Sequence, residues 1–191
     1  MIGALAWAGI LGPPLFVAVF LVLGAVKPGY DAWARFVSEG SVGELGWIQI
    51  ANFVLLGAAL LAFAAALWNS YGDETSGRIG AGLMAVVGVG LIFAGVFVTD
   101  AGTKIVSRHG LVHLIASLVV FGGLMLAGLA FAWRLHAHSA FAAYSVATSV
   151  FIPIGIVVTN AAGRWGGLAQ RVLIIGAWTR ITLLAWRLAT T

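Results

Sequence analysis

The sequence predicts an all-α integral membrane bundle of about six transmembrane helices, and three observations carry that reading. The 191 residues are 62% apolar and only 8% charged, whereas a soluble domain is about a quarter charged. Their mean hydropathy is +1.08. The apolar residues gather into six runs of helical length, each long enough to cross ~30 Å of hydrocarbon at ~1.5 Å per residue. No stretch shows the period-two alternation over ~10 residues that the strands of an outer-membrane barrel require.

The runs lie at Leu5–Val26, Gly46–Trp68, Ile79–Val98, Leu111–Trp133, Phe141–Ala162 and Leu168–Leu188. They make residues 1–191 one transmembrane helical domain, with no linker, low-complexity tract or solenoid repeat to divide it. The first run is expected to be retained. It has no basic residues ahead of it, and it ends at Lys27-Pro28-Gly29-Tyr30, which is not a small-residue cleavage site. Trp7, Trp47, Trp68, Trp133, Trp165 and Trp186 fall at or near run ends, where indole prefers the membrane interface. Pro13-Pro14 should bend the first helix and Pro153 the fifth, each freeing carbonyls that the bundle must satisfy. Glycine occurs 26 times and concentrates inside the runs. Gly88 and Gly95, one heptad apart, suit close helix packing.

The formal charge of +4 comes from 10 Lys+Arg against 6 Asp+Glu. The basic residues are scattered, with no stripe to follow a phosphate backbone, so nucleic acid is not an expected partner. The expected partners are the lipid bilayer and a lipophilic small molecule; no oligomeric state is specified. The chain has no cysteine, which excludes disulfides, thiol nucleophiles and iron–sulfur clusters, and no cofactor is expected. With six spans both termini share one face. Lys and Arg are nearly balanced between the two faces, so the positive-inside rule does not set the orientation.

The acids are unevenly divided. Asp31, Glu39, Glu44 and Asp100 belong to the face opposite the termini, and only Asp73-Glu74 to the other. His109 and His113 lie at the same level, four residues apart at the start of the fourth helix, and Gln170 and Arg171 open the sixth. Three same-side loops therefore bring acids, imidazoles, an amide and a guanidinium towards one another.

Several chemistries can be weighed on these residues. The spacing of His109 and His113 suits two metal ligands, but the glutamate of a zincin motif is missing, and a hydrogen-bonded helix terminus is the simpler reading; no metal is assigned. A haem across the bundle is disfavoured because all four histidines flank the fourth helix. Ser38, Ser41 and Ser107 stand in no nucleophile elbow. No aspartate-rich magnesium motif exists for expelling diphosphate. What remains is a carboxylic acid at the rim of an apolar cavity, kept protonated by desolvation and donating its proton to an alkene or epoxide. Aromatic faces would stabilise the cation that follows. Asp100 is the first candidate donor, because it ends an apolar helix at the hydrocarbon boundary and a neighbouring Glu39 would raise its pKa further. Glu39, Glu44 and Asp31 are the other candidates, with His109 or His113 supporting or regenerating the donor. Trp33, Phe97, Tyr144, Asn160, Gln170, Arg171 and Trp178 are the candidate substrate contacts. Polar residues inside spans are costly and point to function by default; here they include Gln49, Asn52, Thr159 and Arg180. With no acid at its depth, Arg180 is expected to snorkel or to cap kink-freed carbonyls.

A set of junctions carries a resemblance: Pro28–Asp31, Gly46–Phe53 (Gly-Trp-Ile-Gln-Ile-Ala-Asn-Phe), Val98–Asp100, His109–His113, Ala143–Thr148 and Leu168–Leu173. In this order they resemble the domain-of-unknown-function 998 family of small bacterial multi-helix membrane proteins, over nearly the whole chain. The resemblance implies a compact helical bundle, multi-pass in the bacterial plasma membrane, with a polar site formed by Asp31, Asp100, His109, His113, Gln170 and Arg171. It implies no reaction. Residues 37–44 depart from the family pattern by adding Glu39 and Glu44, and Ala101 replaces a proline, which suggests a loop that has gained acid chemistry. In size and character, though not residue by residue, the chain is also similar to small bacterial membrane-bound terpene cyclases of the drimentine type, which act on farnesylated indoles. The expectation that follows is proton-initiated cyclisation of a lipophilic, isoprenoid-bearing substrate. The alternative is a non-enzymatic lipid- or small-molecule-binding membrane protein or transporter component.

Overall fold

The computed structural model describes residues 2–102 and 104–190. The helices are α1 (Ile2–Val26), α2 (Gly46–Tyr71), α3 (Thr75–Val96), α4 (Arg108–Arg134), α5 (Ser139–Ala161) and α6 (Gly166–Thr190). A 3-10 turn at Val37–Ser41 sits in the α1–α2 connection and another at Gly163–Trp165 precedes α6. All six helices are long and apolar enough to cross a membrane. They begin or end within a few residues of the predicted runs, and α1 and α5 continue unbroken through their prolines.

Each helix packs on its sequence neighbours, and α6 returns to pack on α1, closing a ring. Short connections force antiparallel neighbours, so the termini share one end of the ring with the 72–74 and 135–138 turns. The core is built from residues facing into the ring, among them Phe16, Leu60, Phe63, Met84, Leu124 and Ile181. Outside, Leu11, Leu55, Val157 and Trp186 are exposed, an apolar outer surface that suits lipid rather than water. The six tryptophans assigned to the interface are all exposed.

Glycines bring α2 and α3 close together. A Cβ on Gly57 of α2 would lie 2.6 Å from the carbonyl oxygen of Gly88 in α3, and one on Gly88 would lie 2.8 Å from that of Gly57. Gly95 repeats the approach one heptad on, 3.0 Å from the Ile50 carbonyl. Lacking a hydrophobic driving force in lipid, helices gain from such close packing. At the end of the ring bearing the termini, Arg134 pairs with Asp73 at 3.3 Å and Glu74 at 3.6 Å across the α2–α3 turn.

This topology predicts that reporter fusions after Trp68 and after Val98 report opposite sides of the membrane. Identical signals from both would contradict the up-and-down ring.

Candidate functional site

At the end of the ring away from the termini, the chain between α1 and α2 folds inward and closes the bundle. Its contacts place it about one turn below the helix ends: a Cβ on Gly24 would lie 3.2 Å from the Ala32 Cβ, and one on Gly40 would lie 3.5 Å from Leu23 and from Gln49. Backbone at that depth must be satisfied internally, and side chains supply what secondary structure does not. Lys27, at the end of α1, donates from Nζ to the carbonyls of Gly40 (3.0 Å), Val42 (2.8 Å) and Glu44. Burial pushes its ammonium below the ordinary lysine value, while the Glu44 carboxylate draws it back up. Arg171 of α6 donates to the carbonyl of Arg35 (3.0 Å) and to the Tyr30 hydroxyl (2.9 Å), which in turn donates to the Phe36 carbonyl (2.7 Å). Burial raises the Tyr30 phenol pKa despite the opposing pull of Arg171. The Gln170 Oε1 accepts from the Val37 amide at 2.7 Å. We refer to residues 30–45 as the plug.

The acids serve this same architecture. Glu39 is buried; its carboxylate accepts from the amides of Phe36 and Gly102, each at 3.0 Å, and from Arg35 at 3.4 Å. It thereby latches the plug to the α3–α4 loop. Asp100 accepts the amides of Val106 (2.9 Å) and Ser107 (3.0 Å) on Oδ2. Its carboxylate lies over the first turn of α4, where a Cβ on Gly110 would collide with Oδ2. The expected rise of its pKa is therefore corrected: the Ser107 and Val106 donors hold it below the ordinary carboxylate range, and an anion at a helix N-terminus is further favoured by the helix dipole. Asp31 is exposed and accepts the Trp33 amide at 2.9 Å. Glu44 is exposed as well, and the contact it makes to Lys27 is through its backbone carbonyl.

Beneath the plug lie two joined cavities. An inner chamber of about 80 Å³ is walled by Phe16, Phe53, Leu91, Leu124 and Trp178 and roofed by Val37 and Ser38. A vestibule of about 230 Å³ runs between α4 and α5 past Leu114, Leu118, Thr159 and Asn160. Ser38, His113, Ser117, Phe121 and Gln170 line both. Leu114, Leu118 and Asn160 are exposed on the outer face of the ring, and Gly102 and Ile105 of the α3–α4 loop are exposed above them, so the vestibule reaches the surface where α4 and α5 meet that loop.

His113 is the titratable group on these walls. It is buried, and its Nδ1 lies 2.9 Å from the carbonyl of Ala94 and 3.0 Å from that of Phe97 at the end of α3. Both partners only accept, so Nδ1 carries the proton and Nε2 is left with a lone pair for a ligand. Phe53 meets the ring edge-to-face at 6.1 Å. His109, one turn earlier, is exposed and lies against Phe97 at 5.3 Å; the two imidazoles therefore occupy different settings.

Of the sequence-predicted residues, His113, Gln170, Asn160 and Trp178 line the cavities, and Arg171 and Glu39 fix the plug above them. Trp33 is exposed and packs edge-to-face on Trp165 at 6.0 Å. Tyr144 lies on α5 16 residues before Asn160, ~24 Å away along the helix, and so belongs to the opposite end of the ring. Arg180 neither snorkels nor reaches kink-freed carbonyls through a short bond. It is buried and donates to the hydroxyls of Ser149 (2.9 Å) and Thr148 (3.1 Å) and to the Leu124 carbonyl, tying α4, α5 and α6 together. Sequence reasoning missed Ser117, Phe16, Phe53 and Phe121. Ser117 was signalled by its spacing, four residues after His113 as His113 is four after His109, which puts it on the same helix face.

The fold and site define a multi-pass helical membrane protein with a plugged chamber. The chain belongs to a family described as protein of unknown function (DUF998), whose model matches residues 10–187. No curated protein matches it, and no solved structure does.

If Asp100 caps the Val106 and Ser107 amides at the entrance to α4, whose own N-cap is Ser107, Asp100→Asn lowers the melting temperature at neutral pH by a few degrees while ligand binding is kept. A carboxyl held below its unfolded value stabilises the fold above that value, and the gain is lost as pH falls through the folded pKa. The gap between wild type and variant should therefore close in acid, below about pH 4. Equal melting curves at pH 7 would remove the cap.

Proposed function

We propose that the protein is a membrane-embedded enzyme for a lipophilic, isoprenoid-bearing substrate that reaches the chamber from the bilayer between α4 and α5. His113 is its acid–base group. The observation that carries this reading is the fixed imidazole: Nδ1–H is committed to the Ala94 and Phe97 carbonyls, which orients the ring and leaves Nε2 to exchange a proton with a bound molecule. Ser38, Ser117 and Gln170 surround the same space.

Cyclisation is the reaction class that the aromatic wall favours. Phe16, Phe53, Phe121 and Trp178 face the chamber, and such rings stabilise a developing carbocation. Imidazolium is too weak an acid for an isolated alkene, so an epoxide or carbonyl oxygen is the better-matched proton acceptor. In that sequence His113 reacts as the imidazolium, its Nε2 lone pair having first taken up a proton; the Nε2–H bond then breaks as the substrate O–H bond forms, and the ring-closing electron pair comes from an alkene. The neutral imidazole then takes the proton whose loss quenches the final cation. Asp100, engaged at the cap, has no part in this version.

The second reading, a non-enzymatic binding protein for lipophilic molecules, rests on the same chamber without the proton transfer. The two separate on His113→Gln. In lipid extracts of expressing cells, the enzyme reading predicts a product of the same mass as its precursor but different retention, falling ~10²–10⁴-fold in the variant, with precursor still co-purifying. A molecule that co-purifies unchanged with both proteins would favour the binding reading.

A further inference from the structure

We infer that the vestibule binds the uncharged, hydrogen-bonding end of an amphiphile whose apolar chain reaches into the inner chamber. This deepens the proposed function and rests on its chamber. The first observation is Thr159 of α5. It is only 5% exposed, lines the vestibule, and its hydroxyl has no partner among the described residues. Helix-borne threonines ordinarily bond back to a carbonyl one turn earlier. In this chain Thr148, Thr179, Thr182 and Thr190 do so, donating to Tyr144, Ile175, Trp178 and Trp186. Thr159 does not. A buried hydroxyl left unmade in lipid is costly, and a ligand atom in the vestibule satisfies it.

The second observation is the charge on the walls. The described residues lining the two cavities include hydroxyls, amides and one imidazole, but no Asp, Glu, Lys or Arg. The ionised groups nearby are already engaged. Glu39 is held by two amides and Arg35, and Arg171 by Arg35, Gly167 and Tyr30. A phosphate or carboxylate would lose its water here without gaining a counter-charge. A bare hydrocarbon would leave the hydroxyl of Thr159 and the free amide end of Gln170 unmatched. An alcohol, ketone or amide end meets both constraints, with the tail running past Phe121 towards Trp178.

The test uses the full chain in nanodiscs and a farnesol analogue carrying a diazirine at its tail. Photolabelling of the 113–121 segment is competed by farnesol, farnesyl phosphate or farnesene. The expected order places farnesol at least ~10-fold ahead of both others. Thr159→Val should weaken farnesol ~3- to 10-fold, the loss of one hydrogen bond, and leave farnesene unchanged; Thr159→Ser should restore farnesol. If farnesyl phosphate competes as well as farnesol, the neutral-end assignment is overturned. Equal competition by farnesene, with Thr159→Val silent, overturns the polar subsite while the chamber stands. Absence of saturable label on 113–121 removes the chamber itself, and with it the proposed function.

Discussion

Irregular backbone inside a membrane protein survives only where side chains satisfy it, and the Lys27 ammonium under the plug meets that condition most directly. One side chain at the end of α1 serves three carbonyls, those of Gly40, Val42 and Glu44, which no helix or sheet partner reaches. Arg171 and Gln170 do the same from α6, and Glu39 from within the plug itself. The roof of the chamber is thus made of charged groups turned away from the chamber, onto backbone. What faces inward is Val37 and Ser38. A neutral, partly polar cavity under a charged plug is the direct result.

The same constraint explains what two of the acids read from the sequence, Asp100 and Glu39, hold in place. A carboxylate near the hydrocarbon boundary has two ways to avoid an unfavourable charge: it can stay protonated, or it can collect amide donors. Asp100 takes the second route because the chain from Val106 to Ser107 presents two amides at the entrance to α4. Glu39 takes it too, with amides from Phe36 and Gly102. Sequence spacing places an acid at a boundary but says nothing of which loop amides will converge on it. That convergence decides what each carboxylate holds.

Other parts were legible for clear physical reasons. Six apolar runs specify six spans because lipid admits little else, and the Gly88–Gly95 heptad is visible as close packing before its partner Gly57 is known. The meeting of three loops at one end followed from span parity, and Gln170, Arg171 and His113 are found there. The inner aromatic wall was not legible. Phe16 and Phe53 look like any apolar residue in a span until the ring closes and α1 and α2 turn them inward. Tyr144 misled because an aromatic beside polar residues has the same sequence signature at either end of α5. Arg180 was recognisable as expensive, yet its partners on α5 and α4 are 31 and 56 residues away.

The central claim is that a chamber holding His113 and Ser117 is reached from the bilayer and closed to water by the plug. Because the chain has no cysteine, a single Ser117→Cys substitution reports on access without background. In sealed proteoliposomes, a lipid-soluble maleimide should label this cysteine readily, while a membrane-impermeant sulfonated maleimide should leave it unmodified from either side. Rapid labelling by the charged reagent, with the lipid-soluble one conferring no advantage, would mean that the chamber opens to water and that the lateral route is wrong.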